Sequence, residues 1–298
     1  MRVVVTGASG LIGTALRASL ASDGIEVTRL VRGTASSAID VRWDPRAPGG
    51  CLDPAVLSGA DAVVHLSGAP VAGGRWTQAR KQELRDSRIL STGALIEAML
   101  AAAAPPPVLL CGSAVGWYGD TGDRSVAEGA PAGTGFLARL VEDWEAATAP
   151  ASAAGIRVAN LRSGVVLSGR GGMLGPLAPL FKLGLGARLG TGRQYLSWIE
   201  IADWVAAARF LLGAAELTGP VNLTSPAPVT NAQFTAAFAA AVHRPALLWV
   251  PSALVQVALG ELSTELLGST RVIPAKLERA GFAFRYPGIG PALAAALG

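Results

Sequence analysis

The chain has 298 residues, of which 51% are hydrophobic and 15% charged, and its net charge is +4. This composition excludes a mostly disordered chain, because disorder goes with low hydrophobicity and high charge density. Aperiodic glycines and the lack of charged heptads exclude collagen-like and coiled-coil structures. The apolar stretch at 98–110 is interrupted by prolines at 105–107. It is too short for a membrane span, which needs about 20 apolar residues.

The positive charge is spread along the chain and does not form a basic segment. Without a Lys/Arg run or basic residues interleaved with aromatic ones, we expect no nucleic-acid partner and a small, anionic ligand instead. The two cysteines, Cys51 and Cys111, are too few for a disulfide framework and predict a reducing, cytoplasmic location. The composition leaves the oligomeric state open.

Short β-branched runs alternate with helical patterns in the first half of the chain. Strands separated by helices in this way predict a parallel sheet covered on both faces, with right-handed crossovers. The predicted fold is therefore α/β, a Rossmann-like doubly wound parallel sheet. The predicted strands cover 2–6, 25–31, 41–43, 61–66, 108–111 and 156–161, and the predicted helices cover 11–22, 77–101 and 135–149.

Beyond residue 165 the pattern changes to glycine-rich loops and shorter elements. We expect a cofactor-binding domain at 1–165, to which 194–225 returns, and a smaller, discontinuous C-terminal substrate domain at 166–193 and 226–298. Helices are predicted here over 176–183, 202–212, 231–242, 253–267 and 274–280, and short strands over 194–199 and 221–224.

The segment TGASGLIG at 6–13 lies between a predicted buried strand and an amphipathic helix. Gly7 suits a tight turn, Gly10 a close approach of a pyrophosphate, and Gly13 close packing of helix on strand. The first-turn N–H groups and the helix dipole then face the phosphates. A glycine-rich turn that binds no ligand is the alternative. The predicted cofactor contacts in this segment are Gly7, Ser9, Gly10, Leu11, Ile12 and Gly13.

The second predicted strand ends in TRLVRG at 28–33, without an acidic residue. NAD-selective sites usually have an Asp or Glu there that binds the ribose hydroxyls. Arg32 stands at that place instead, and a guanidinium matches the 2′-phosphate of NADP(H). Strand alternation points Arg29 to the other side, which makes it the weaker candidate. A solvated arginine at the strand end is the alternative interpretation of Arg32.

Further segments resemble the short-chain dehydrogenase/reductase superfamily in its extended, epimerase-like form. They include DAVVHLSGAP at 61–70, GSAVGWYGD at 112–120, LRSGVVLS at 161–168 and RVIPAKLERAGFAFRYP at 271–287. With the glycine motif, they run over almost the whole chain. The chain is similar above all to the atypical, sugar-nucleotide-epimerase-like branch (NAD-dependent epimerase/dehydratase-like) with a C-terminal domain of unknown function.

The resemblance implies roles for residues that follow predicted strands. Ser113 matches the serine of the superfamily's catalytic set, with a hydroxyl that ties down its own turn as the alternative. The segment at 65–69 resembles the family's loop along the adenosine and ribose, and the segment at 161–164 resembles its loop near the nicotinamide. The cofactor contacts implied in these loops are Leu66, Ser67, Gly68, Ala69, Arg162 and Ser163.

The superfamily's catalytic Tyr-x-x-x-Lys pair is absent. Phe136 and Leu140 stand on the helix where the pair is expected, and no tyrosine is followed four residues later by lysine. A proton relay in which lysine lowers the pKa of tyrosine is therefore not expected. Tyr118 lies five residues after Ser113 and is predicted to face a shared pocket as a proton donor or substrate contact. Packing against Trp117 is the alternative.

The remaining candidate residues are predicted to have structural rather than catalytic roles. Arg88 is predicted to be a surface residue in mid-helix, and Trp144 and Glu145 are predicted to serve packing. His65 and His243 have no further ligand at a useful spacing, so no metal site is expected.

The patterns together predict an NADP(H)-dependent oxidoreductase or epimerase-like enzyme that acts on a small molecule. Ser113 and Tyr118 are its candidate catalytic residues. A sugar-nucleotide substrate is implied by the resemblance to epimerases. A non-catalytic NADP(H)-binding sensor or scaffold is the alternative, because the Tyr-x-x-x-Lys pair is missing.

Overall fold

The computed structural model describes residues 1–47, 52–72 and 74–298, so Cys51 lies outside the described residues. The described strands are β1 (Arg2–Thr6), β2 (Glu26–Val31), β3 (Asp40–Arg42), β4 (Ala62–His65), β5 (Val108–Ala114), β6 (Arg157–Ser163), β7 (Val165–Ser168), β8 (Gly171–Gly172), β9 (Ala187–Leu189), β10 (Tyr195–Leu196), β11 (Trp198–Glu200), β12 (Gly219–Leu223), β13 (Val229–Thr230) and β14 (Leu248–Val250). The described helices are α1 (Leu11–Ser22), α2 (Gln78–Ala101), α3 (Phe136–Ala146), α4 (Ala149–Ala153), α5 (Leu174–Lys182), α6 (Ile201–Gly213), α7 (Asn231–Ala241), α8 (Ser252–Leu259), α9 (Ser263–Leu267), α10 (Ala275–Arg279) and α11 (Ile289–Leu297).

Within the described ranges, seven parallel strands form the central sheet, in the order β12-β6-β5-β4-β1-β2-β3. The chain winds outward from β1 in one direction through β2 and β3, and from β4 in the other direction. The winding therefore reverses between β1 and β4, where doubly wound folds bind ligands beyond the carboxyl ends of the strands. The predicted doubly wound fold is confirmed.

Both faces of the sheet are buried, and strand alternation divides them. Val3 and Val5 pack in one cluster with Leu16 of α1 and residues of α6. Val4 points to the other face and packs with Leu95 and other residues of α2. Burial on both faces explains why these strands consist of continuous apolar runs.

The C-terminal part packs against the carboxyl edge through three small sheets, β11-β7-β8, β10-β13 and β14-β9, within the described residues. Its core joins α5, α7 and α11 around Phe181, Phe238 and Leu293. The strand β12 from this half completes the main sheet beside β6. In the described part of the chain, no helix has the length and apolarity needed to cross a bilayer.

Local signals predicted some boundaries and missed others. The prediction of α7 is confirmed, since Thr230 and Gln233 form a reciprocal capping box at its start. A single helix over 253–267 is wrong, because α8 ends at Leu259 and a 3-10 turn at Gly260–Leu262 separates it from α9. The helix predicted over 135–149 is present as α3 but ends at Ala146, and α4 begins at Ala149. Sequence patterns missed α11 entirely.

Candidate functional site

The glycine loop joins β1 to α1 at the point where the winding of the sheet reverses. Gly7 has φ +62°, and a Cβ there would lie 2.5 Å from the Leu66 carbonyl oxygen. A Cβ at Gly13 would lie 2.3 Å from the Gly7 carbonyl oxygen. Both contacts are far below van der Waals distance, so these two positions require glycine. They hold the loop, the start of α1 and the loop after β4 in direct contact.

The N-terminus of α1 is open toward this loop. Gly10 is its N-cap, and the helix, which is described in full, has neither a side-chain cap nor an acidic residue in its first turn. Ser9 and Gly10 are exposed. The first-turn N–H groups have no partner inside a helix, and the dipole adds partial positive charge. The loop therefore suits an anionic group such as a pyrophosphate.

A cleft of about 350 Å³ extends from this loop along the carboxyl edge of the sheet. Of the residues predicted to form the site, the cleft is lined by Gly7, Gly10, Leu11, Ile12, Gly13, Leu66, Ser113 and Ser163. Its remaining walls are Gly112, Trp144, Val165, Val166, Gly172, Met173 and Trp204. The predicted residues outside this lining are Ser9, Arg32, Ser67, Gly68, Ala69, Tyr118 and Arg162.

Two arginines near the end of β2 lie in different environments. Arg32 follows the strand directly and is exposed. Since β2 pairs with β1 in parallel, with Thr6 beside Leu30, Arg32 stands next to the glycine loop. Arg29 forms a salt bridge with Asp40, in which Arg29 Nε lies 2.6 Å from Asp40 Oδ1. Of these two arginines, Arg32 is therefore the one that faces solvent beside the loop.

The loop after β4 is fastened to α2. The Ala69 N–H donates to Ser87 Oγ over 3.0 Å, and Arg88 Nη2 donates to the Ala69 carbonyl over 3.0 Å. The prediction of Arg88 as a surface residue is wrong, because only 9% of it is exposed and its guanidinium lies over the Trp144 ring. Burial lowers the pKa of Arg88 to about 10, which keeps it cationic at neutral pH.

Three polar residues form a row across neighbouring strands, and the first of them, Ser113, lines the cleft. Ser113 of β5 pairs in register with Arg162 of β6, which pairs with Asn222 of β12. Directly paired residues in a sheet place their side chains on the same face. The row therefore brings a hydroxyl, a guanidinium and an amide side by side.

Glu145 of α3 bridges the first two members of this row. Ser113 Oγ donates to Glu145 Oε1 over 2.5 Å. Arg162 donates from Nε to Oε1 over 2.7 Å and from Nη2 to Oε2 over 2.8 Å. Glu145 therefore does more than the predicted packing. Arg162, which the resemblance places near the nicotinamide, is 2% exposed and its guanidinium pairs with Glu145.

Tyr118 bridges Arg162 and Asn222, the last two members of the row. Its hydroxyl donates to Asn222 Oδ1 over 2.7 Å and accepts from Arg162 Nη1 over 3.1 Å. The residue is 4% exposed and lies behind Arg162, so the pocket predicted to be shared with Ser113 is not formed. Burial raises the pKa of Tyr118 above its usual value, although Arg162 and Asn222 oppose this. The neighbouring Trp117 ring lies 3.9 Å from Arg162 Cζ.

Phe136 and Leu140 occupy the helix positions of the missing catalytic pair. They pack with Trp76, Leu84 and Leu262, which joins the N-terminal half of the chain to the C-terminal segment. Phe136 and Leu140 themselves therefore supply neither the phenol nor the ammonium group of that pair.

Two buried titratable residues near the loop have structural roles. His65 Nδ1 lies 2.7 Å from Thr6 Oγ1, and its Nε2 lies 3.3 Å from Ser91 Oγ. Complete burial lowers the pKa of His65 to about 3. Burial raises the pKa of the Cys111 thiol to about 12, which keeps it protonated.

Sequence reasoning missed Glu145, Asn222 and Arg88 as parts of the site. Glu145 follows Leu137 and Val141 on one stripe of α3, and a carboxylate on an apolar stripe is a signal for a buried partner. Its partner was not predictable from spacing alone, because it depends on how α3 crosses β6.

The comparison with protein families matches residues 3–223 to the NAD dependent epimerase/dehydratase family and residues 250–296 to a domain of unknown function, DUF1731. The chain is 52% identical over 292 residues to epimerase family protein Mb2239 of Mycobacterium bovis, covering 98% of this chain and 96% of that protein. It is 35% identical over 297 residues to the human epimerase family protein SDR39U1, covering 98% of both chains.

Two solved structures share both fold and sequence with this chain. The crystal structure of human SDR39U1 (isoform 2) with NADPH has a TM-score of 0.90 at 32% identity and covers 100% of this chain and 99% of that one. A nucleoside-diphosphate sugar epimerase from Corynebacterium glutamicum has a TM-score of 0.81 at 39% identity, covering 100% of this chain and 58% of that one. The chain therefore belongs to the NAD dependent epimerase/dehydratase family and has its Rossmann-like, NAD(P)-binding fold.

Proposed function

We propose that this protein is an NADP(H)-binding oxidoreductase or epimerase-like enzyme that acts on a small molecule. The observation that carries the proposal is the position of Ser113. Its hydroxyl lines the cleft that starts at the glycine loop, and it is hydrogen-bonded to a buried carboxylate. A hydroxyl held in this way suits binding and polarising a substrate oxygen.

The residues around the cleft fit a dinucleotide. The first turn of α1, which has no side-chain cap, suits the pyrophosphate. Gly7 and Gly13 keep the loop packed closely on its neighbours, so that the pyrophosphate can approach the backbone. Arg32, which is exposed beside the loop, would bind a 2′-phosphate, and the NADPH in the human relative supports this assignment. The loop at 66–69, fastened by Arg88, would lie along the adenosine and ribose. When bound, this cofactor supplies or accepts a hydride.

We propose a sugar nucleotide as the substrate class, which agrees with the name of the Corynebacterium relative. Residues 1–165 and 194–225 would bind the cofactor, and 166–193 and 226–298 would cover the substrate. Val166 and Met173 line the cleft from this second part. Tyr118 is assigned a positioning role behind Arg162 rather than contact with the substrate.

A second candidate function is non-catalytic binding of NADP(H), as a sensor or scaffold. The apolar packing of Phe136 and Leu140 favours it, because that helix offers neither the phenol nor the ammonium group of the usual pair.

Turnover separates the two candidates. Purified protein is incubated with NADPH and a panel of carbonyl compounds, or with NADP⁺ and sugar nucleotides, and both the absorbance of the reduced nicotinamide and the conversion of the sugar nucleotide to its epimer are followed. We expect turnover of at least one substrate and its loss in Ser113→Ala. Tight binding of NADPH without turnover of any member of the panel would support the sensor or scaffold.

A further inference from the structure

The cleft offers few groups that can move a proton. None of its described lining residues carries an ionisable side chain. Two lining residues, Ser113 and Ser163, have hydroxyls. The Ser163 hydroxyl donates to the Leu161 carbonyl and accepts from Trp204 Nε1 over 2.8 Å. Ser113 differs, because its hydrogen-bond partner is itself a proton acceptor.

The hydrogen bond from Ser113 to Glu145 sets the direction of proton movement. Since the Ser113 proton lies on the 2.5 Å contact with Glu145 Oε1, the lone pairs of Oγ remain to accept from a ligand in the cleft. Arg162 neutralises the carboxylate through two charge-assisted hydrogen bonds. Burial lowers the pKa of Arg162, but its bonds to Glu145 outweigh this and raise the pKa, so the guanidinium stays charged.

We propose that Glu145 accepts the substrate proton through the Ser113 hydroxyl, and that this relay replaces the missing Tyr-x-x-x-Lys pair. The proposal rests on the function proposed above and names the proton acceptor of the same site. Ser113 is the catalytic residue, because it faces the cleft. Glu145 and Arg162 are positioning residues that act through it.

The proton balance of the step is simple. The O–H bond of a substrate alcohol breaks and its proton binds Ser113 Oγ, while the original Ser113 proton moves to Glu145 Oε1. Oxidised nicotinamide, when bound, would accept the carbon-bound hydrogen with its electron pair, so that the alcohol becomes a carbonyl. In the reverse direction, Glu145 returns the proton through Ser113. The glutamate side chain is 10% exposed, which leaves a route to solvent.

The relay predicts a specific pattern of kinetics. Glu145→Gln keeps an oxygen for Ser113 but cannot take its proton. We expect kcat to fall by about 100-fold or more, with KM changed little, because general acid–base catalysis contributes about 10²–10⁴-fold. Adding Ser113→Ala should cost little more, since both residues serve one step. The control Glu142→Gln, on the exposed side of α3, should keep full activity.

A second readout needs neither cofactor nor substrate. Cofactor-free protein is treated with diisopropyl fluorophosphate and the labelled mass is followed. In this reaction the Ser113 Oγ–P bond forms, the P–F bond breaks, fluoride leaves and the serine proton moves to Glu145. Labelling at Ser113 should slow by about 10-fold or more in Glu145→Gln and recover in part in Glu145→Asp, since proton acceptance contributes about 10²–10⁴-fold.

The two readouts separate failure of the relay from failure of the proposed function. Equal labelling of the wild-type protein and Glu145→Gln, or no labelling at Ser113, would overturn the relay even if the enzyme turns over. Glu145-dependent labelling supports the relay, and absence of turnover then counts against the proposed function alone. If Glu145→Gln does not fold, as judged by circular dichroism, the comparison uses Glu145→Ala. Labelling of this variant at a rate unchanged from wild type would then overturn the relay.

Discussion

The buried pair of Glu145 and Arg162 makes a measurable prediction about stability. Their contact is bidentate, with distances of 2.7 and 2.8 Å, and the two side chains are 10% and 2% exposed. Arg162→Met keeps the apolar volume but leaves the carboxylate buried without its cation. Removal of one partner of such a pair costs about 3–5 kcal/mol, so we expect a loss of this size in the free energy of unfolding.

A double-mutant cycle tests this reasoning. Adding Glu145→Gln to Arg162→Met removes both charges and should restore about 1–3 kcal/mol, since residues in contact couple by this amount. The matched control is Arg85→Met. It breaks the more exposed ion pair between Arg85 of α2 and Asp143, which lies on α3 like Glu145, and should cost at most about 1 kcal/mol.

The assay is urea unfolding at neutral pH, followed by the fluorescence of the seven tryptophans. Unfolding midpoints are compared at equal slope, because a change in slope signals a change in the denatured state or loss of two-state behaviour. An Arg162→Met variant no less stable than Arg85→Met would refute the reasoning. So would a double variant whose loss equals the sum of the two single losses.

Two further predictions concern the loop region. His65 titrates at about 6.5 when unfolded and at about 3 when buried, so only the unfolded state gains a proton as the pH falls below 6.5. Stability should therefore drop by about 1.6 kcal/mol between pH 6.5 and 5, with a slope that approaches about 1.4 kcal/mol per pH unit below pH 6, and His65→Gln should flatten this slope in urea titrations. Gly13→Ala should lose about 1–3 kcal/mol and NADPH binding through its clash with the Gly7 carbonyl, whereas Gly93→Ala, in open space on α2, should gain about 0.5–1 kcal/mol; equal calorimetric melting shifts would contradict this.

Local patterns were sufficient to predict the fold, because continuous apolar strands alternate with helices along the first half of the chain. The glycine loop was predictable for a similar reason, since Gly7 and Gly13 lie next to the elements that they join. These features depend on residues close in sequence, and the structure shows the steric contacts that they imply.

The polar row was not predictable in this way. Ser113, Arg162 and Asn222 are adjacent because three parallel strands pair in one register, and register between strands so far apart in sequence is set by the packed sheet. Arg88 was misjudged for the same reason. Its helical neighbours indicate a surface position, but the loop at 66–69 folds over its guanidinium and accepts its hydrogen bond.

Calorimetric titration with NADPH and NADH tests most directly whether the cleft binds NADP(H) and whether Arg32, beside the glycine loop, contacts the 2′-phosphate. The wild-type protein should bind NADPH more tightly than NADH. Arg32→Ala should weaken NADPH binding by about 10- to 100-fold, the value of a charge-assisted contact, and leave NADH binding unchanged. The exposed control Arg139→Ala should change neither. Equal weakening of both cofactors by Arg32→Ala, or no binding of NADPH to the wild-type protein, would contradict this assignment.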